Sequence, residues 1–289
     1  MFSAISVSLR PEDIRSYRNL RLQVGKRTLS RFKSLTEDGC VPLHIEPYGR
    51  NTNLSIFPAY STDDEPPPFL TLPPEIFEKA SAIKTSEDRK LVDQGGWMDG
   101  ELLAVRSMAI IGNSISMQVS RMLWSQILAL RGLGFDEIAH LEALKLDTNT
   151  HVIGTENDKQ ILLVGHRGRK PGELRMGAGA LLAPSGEGSQ WTLAVNGTVG
   201  HDIMARSEPA DIWKDNSLKE FEEELGVIDA KRIRYLGTMV DTKMFVGAVG
   251  IVGLIETTLT PEQVDDSRKK AKHCIEVPAL DMIPLEMDA

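Results

Sequence analysis

Lys219-Glu220-Phe221-Glu222-Glu223-Glu224-Leu225-Gly226-Val227 is the stretch from which the fold is read. As a helix it carries Leu218, Phe221 and Leu225 at i, i+3 and i+7, one apolar stripe for a core. Glu220, Glu223 and Glu224 fall at i, i+3 and i+4 and share a second face. Like charges so spaced repel by roughly 0.2–0.5 kcal/mol per pair. Gly226 reads as the left-handed residue that ends the helix. The carboxylates therefore crowd the C-terminal turn, where the helix dipole also disfavours negative charge. A divalent cation with oxygen ligands, Mg²⁺ or Mn²⁺, would offset both costs. The alternative is a solvated acidic face.

The chain around this stretch has 289 residues, enough for one large domain or two ordinary ones. Its 41% apolar and 26% charged residues are those of a soluble globular protein. A net charge of −8 argues against stable nucleic-acid binding, though not against a nucleotide carried with a metal. Cys40 and Cys274 form neither a zinc spacing nor a disulfide framework, which suits a reducing, cytoplasmic setting. The N-terminus lacks a signal-peptide layout, and the longest apolar run, Met244 to Ile255, is too short to span a membrane.

Residues 1–147 read as an N-terminal α+β region of unknown fold that shapes the substrate site or mediates dimerisation. Arg15, Arg18 and Arg21 recur every third residue beside a stripe of Ile14, Tyr17, Leu20 and Val24. They make a solvated face or a patch for phosphate or a partner. Short strands are expected over His44–Tyr48 and Leu54–Phe57, and a helix entered through proline over Leu72–Ala80. Glu101–Ile111 suits helix or strand. Met117, Val119, Met122, Leu123, Ile127 and Leu130 predict a helix over Ser114–Leu130, and another starts near Phe135. Helices flanking Gly132 and Gly134 have the outline of a helix-turn-helix, but no basic recognition face follows.

From about Thr148 the pattern becomes short strands. His151–Thr155, the turn Glu156–Lys159 and Gln160–Arg167 predict a hairpin. Gln190–Val195 is a strand leading into Asn196-Gly197-Thr198-Val199-Gly200-His201. A loop follows, and Pro209 sits near the entry of the acidic helix. Beyond that helix, Arg232–Thr238 and Met244–Thr258 read as strands, Thr260-Pro261-Glu262 as the start of a polar segment, and Cys274–Val277 as a last strand.

Strand, glycine turn, loop and an acidic helix ending Glu-Glu-x-Gly resemble the Nudix superfamily, whose box runs Gly-x5-Glu-x7-Arg-Glu-U-x-Glu-Glu-x-Gly-U with U a bulky aliphatic. Glu220, Phe221, Glu223, Glu224, Gly226 and Val227 match its second half. Lys219 stands where the family has Arg, and Asp211 where it has its first Glu. Ala205 holds the glycine's place, so Gly200, or Gly197, serves only with a longer loop. The resemblance covers residues 148–289. It implies an α/β class, a Nudix-like α/β/α sandwich with a mixed sheet, and a final helix that is short or missing here.

The resemblance also implies an activity: hydrolysis of a diphosphate in a nucleoside diphosphate derivative or related small molecule, with Mg²⁺ or Mn²⁺ polarising the phosphoryl oxygens and activating water. Glu223 and Glu224 are then the primary metal ligands, Glu220 a ligand or the general base, and the Gly200 carbonyl a further ligand. Glu262 and Glu276 lie where some members draw another carboxylate, and Glu276 is the choice as a further metal ligand. Lys219 orients the glutamates without arginine's bidentate fork, or simply pairs with Glu223. Arg167, Arg169 and His201 would contact substrate phosphates, or are polar surface residues. Members often dimerise, so a homodimer is an expected partner. The competing expectation is a Nudix-like ligand-binding or interaction protein without catalysis.

Overall fold

The structure, a computed structural model, describes residues 7–9, 40–46, 52–59, 67–94, 99–111, 113–131, 133, 135–157, 159–167, 190–227, 229–241, 247–273, 277 and 279–285. The chain divides into two compact units. The first is Met1–Asp147, Thr198–Ile212 and Thr238–Gly250; the second is Thr148–Gly197, Trp213–Gly237 and Ile251–Ala289. Helices accompany a mixed sheet, as the α/β class requires. Among the described residues no helix is long and apolar enough to cross a membrane.

In the first unit, β4 (Glu101–Ile111) and β5 (Ser114–Leu123) form an antiparallel pair with a bulge between Val105 and Ser107. β1 (Val7–Leu9) adds antiparallel to β4, and β3 (Asn53–Pro58) adds parallel to β5. β2 (Cys40–Ile45) is a further strand. Helix α1 (Pro74–Gln94) has proline at its first position, where no intrahelical donor is lost. It packs beside α2 (Trp124–Leu130); α3 (Phe135–His140) and the short α4 (His201–Met204) complete the unit.

The expected helix over Ser114–Leu130 is half wrong. Its first ten residues are strand β5, and only Trp124–Leu130 are helical. Ile115, Met117 and Val119 are buried at period two, while Ser114 and Gln118 are exposed. The helical spacing seen in sequence runs across the junction at Leu123 and joins two different periodicities. Leu54, Ile56, Leu103, Ile115, Met117, Met122, Ile127 and Leu130 are almost fully buried in this unit. Its buried Lys145 is paired with Asp147 at 2.5 Å, and Thr198 donates to the same carboxylate at 2.8 Å.

In the second unit, β6 (Leu144–Glu156, from Thr148 onward) and β7 (Lys159–Arg167) form the expected hairpin, with Glu156 opposite Lys159. Asn157 takes φ +49°, the left-handed value that a two-residue hairpin turn asks of its first position. β8 (Gln190–Leu193) pairs with Val164–Arg167 of β7, and β12 (Ala279–Pro284) lines β7's other edge. β9 (Val195–Thr198) pairs with β6. Helix α5 (Ile212–Leu225) is followed in the chain by β10 (Arg232–Asp241) and β11 (Ala248–Glu256), of which Thr238–Asp241 and Ala248–Gly250 belong to the first unit, and then by α6 (Pro261–Arg268).

The apolar stripe of α5 does what its spacing predicts. Phe221 and Leu225 are fully buried, Leu218 partly, against Val152, Leu163, Val195, Ile255 and Val264. Burying each such side chain contributes about 1.5–3 kcal/mol. Pro261–Arg268, read in sequence as a polar segment, is a helix, and the strand that follows it is β12. The expected strand Cys274–Val277 lies outside the described residues except for Val277.

Candidate functional site

Helix α5 is set by three contacts. Its stripe lies on the core just described. Gly226 ends it at φ +66°, its amide donating to Glu222 O at 2.8 Å. The Ser267 hydroxyl of α6 donates to Gly226 O at 2.6 Å, so the two helix ends are tied together. With the helix axis and rotation fixed, each acidic residue has a defined neighbour.

Glu224 is buried, 1% exposed, and accepts the backbone N–H of Asn196 at 2.9 Å. This is a charge-assisted bond between the helix and strand β9. Glu220, one turn earlier on the same face, lies against Gly197. A Cβ at position 197 would fall 2.2 Å from the Glu220 carboxyl carbon and 2.6 Å from its Oε1. Only a glycine lets the carboxylate lie there. Asn216, another turn back, donates from Nδ2 to Thr148 Oγ1 at 2.8 Å, and that hydroxyl donates to Gly197 O at 3.4 Å. Asn216, Glu220 and Glu224 thus form one ridge facing β9.

Glu223 has different neighbours. Its Oε1 pairs with Lys272 Nζ at 2.6 Å, its Oε2 lies 3.7 Å from His273 Nδ1, and its backbone O accepts the His273 amide at 2.7 Å. The hydrogen bond with Glu223 raises the Lys272 ammonium above its ordinary range; slight desolvation opposes this, and the charges of Glu223 and then Glu220 add to it. Among the described residues, no three His, Cys, Asp or Glu side chains gather as a metal-holding group.

The remaining predicted residues are spread along the chain. Gly200 and His201 belong to the first unit. Gly200 precedes α4 and bridges Leu102, while His201 Nδ1 lies 3.3 Å from Glu101 Oε2. The same Glu101 oxygen takes Arg121 at 3.1 Å, whose guanidinium also lies 4.2 Å above the Phe69 ring. Within the second unit it is Gly197 that meets the acidic helix. Asp211 sits in the turn before α5, its amide donating to Glu208 O, and Lys219 lies partly buried on α5. Arg167 ends β7, and its side chain lies outside the described residues, as do Arg169 and Glu276. Lys272 and Asn216 were missed. Nothing local marks Lys272 among its basic neighbours; Asn216 carried a signal, four residues before Glu220 on one helical face.

No family model matches this chain, and no curated protein matches it. Solved structures do. The NUDIX domain of Shewanella oneidensis NrtR complexed with ADP ribose is similar with TM-score 0.28 and 13% identity over 49% of this chain and 73% of that one. Shewanella oneidensis NrtR complexed with a 27mer DNA gives TM-score 0.26 and 13% identity, over 48% of this chain and 50% of that one. The T. brucei MERS1-RNA complex gives 0.29 and 9%, over 52% and 55%. The chain thus spans only about half of the second and third.

Proposed function

We propose that this chain is a Nudix-like hydrolase of a diphosphate linkage in a nucleoside diphosphate derivative, dependent on Mg²⁺ or Mn²⁺, with the second unit as the Nudix-like sandwich. The observation that carries the reading is the Lys272 ammonium. It marks a position where a cation is held against the Glu223 carboxylate, 2.6 Å from its Oε1. The cradle at Gly197 supports the same reading, because it keeps the Glu220 carboxylate close to the β9 backbone. Oxygen donors of this kind suit a hard divalent ion.

Glu220 and Glu223 would hold the ion, which when bound polarises phosphoryl oxygens and lowers the pKa of water. Glu224 has another part. Its bond to the Asn196 amide fixes the helix against β9 and so positions Glu220. Lys272 supplies positive charge for phosphate oxygens once the carboxylates hold an ion. Positioning and charge neutralisation are most of what phosphoryl transfer asks of a protein.

A second reading, ligand binding without hydrolysis, is favoured by Glu224's being used inside the fold, and by the absence among the described residues of a three-carboxylate group. Incubating the full chain and Glu223→Gln with Mg²⁺ or Mn²⁺ and a panel of nucleoside diphosphate derivatives, ADP-ribose among them, separates the two. Hydrolysis predicts product from the unaltered chain and a loss of at least about 100-fold in the variant, as for removal of a group that acts in the transition state. No turnover on any member of the panel, together with thermal stabilisation by one of them, favours the second reading.

A further inference from the structure

We propose that Phe69, Arg121, Glu101 and His201 form a binding site in the first unit for a neutral, flat ring that carries an exocyclic amine, an adenine-type nucleobase. All four residues belong to that unit, so the inference stands apart from the reading of the acidic helix. Phe69 is 44% exposed, yet its backbone is pinned to β5. The Arg121 amide donates to Pro68 O and the Leu70 amide to Arg121 O, each at 2.8 Å. The Arg121 guanidinium lies 4.2 Å above the ring and donates from Nε to Pro67 O at 2.7 Å. An aromatic ring held in place while nearly half open to solvent offers contact area at little ordering cost.

The charges beside the ring decide what it takes. Arg121 donates from a terminal nitrogen to Glu101 Oε2 at 3.1 Å, and His201 Nδ1 lies 3.3 Å from the same oxygen. The guanidinium charge is thus answered by Glu101, and Glu101 repels a phosphate at His201. A cationic ligand is opposed by the guanidinium on the ring. Both charges admit a neutral ring. Among the described residues nothing engages Glu101 Oε1 or His201 Nε2. In a neutral imidazole with Nδ1–H directed at Glu101, Nε2 is an acceptor, as is the carboxylate oxygen. Two open acceptors side by side match the two hydrogens of one amine, and the bond to the carboxylate is the stronger of the two.

The test is equilibrium dialysis of the full chain against adenosine and against purine riboside, which lacks only the amine. A metal chelator is present, so that no divalent ion at the acidic helix contributes. Saturable adenosine binding with Kd below about 1 mM is expected, with purine riboside about ten-fold weaker. Phe69→Ala, a change at an exposed ring, is expected to weaken adenosine about ten-fold, and Phe69→Trp to retain it. Glu101→Gln is expected to erase the preference for adenosine, because Arg121 keeps the amide oxygen and turns the amide N–H toward the amine. No saturable adenosine binding, equal affinity for the two nucleosides in the unaltered chain, or full affinity in Phe69→Ala overturns the site. Adenosine binding that depends on Phe69, in a chain that turns over no member of the diphosphate panel, would reject hydrolysis and keep the site.

Discussion

Gly197 and Gly226 are required for different reasons, and substituting each should have a different effect. Gly226 has φ +66°, and an added Cβ would lie 2.8 Å from Ser267 O, a backbone atom that cannot step aside. Gly226→Ala is expected to lower stability by about 1–3 kcal/mol in urea unfolding. At Gly197 the Cβ would meet the end of the Glu220 side chain, which can rotate away. Gly197→Ala should therefore change stability by less than about 1 kcal/mol, yet weaken Mn²⁺ binding about ten-fold by displacing Glu220. Calorimetric titration beside the urea curve separates the two effects. Gly226 was legible because a glycine after an amphipathic run is a local signal. The choice between Gly197 and Gly200 was not, because it depends on how far strand β9 extends before the chain turns.

Among the elements, α5 was readable because stripe, acidic face and stop signal agree. Phe221 is the centre of its packing, and Phe221→Ala is expected to cost about 3–5 kcal/mol, measured as a shift in the unfolding midpoint. Helix α6 carried a signal that went unused. Thr260 accepts the Gln263 amide at 3.3 Å and the Gln263 side chain accepts the Thr260 amide at 2.9 Å, a capping box with Pro261 next. Thr260→Ala should cost about 1 kcal/mol and loosen the Ser267–Gly226 tie at the end of α5. Strand β5 was misread for a different reason. Its buried residues run straight into those of α2, and a window spanning both shows the wrong period.

At the scale of the whole molecule, the hairpin of β6 and β7 was legible, because a polar turn separates two apolar runs. The assignment of Thr198–Ile212 and Thr238–Gly250 to the first unit was not, since it reflects contacts between segments distant in sequence. Stability should depend on pH through partly buried histidine. Burial lowers the pKa of His151 from its ordinary 6.5, and burial likewise lowers that of His44 against an opposing charge on Glu46. The unfolded chain then binds protons that the folded chain refuses. The stabilisation is complete above about pH 6.5 and is lost as pH falls from there through the folded-state value. The urea midpoint is expected to drop between pH 7 and pH 5.5, and His151→Gln to flatten that drop; an unchanged slope would exclude His151 as its source.

The most direct test of the cation site is anomalous diffraction from crystals of the full chain soaked in Mn²⁺. A peak within coordination distance of Glu220 and Glu223, with the Lys272 ammonium turned away, is the predicted result. No peak there, with Lys272 still seated on Glu223 at saturating Mn²⁺, would contradict it.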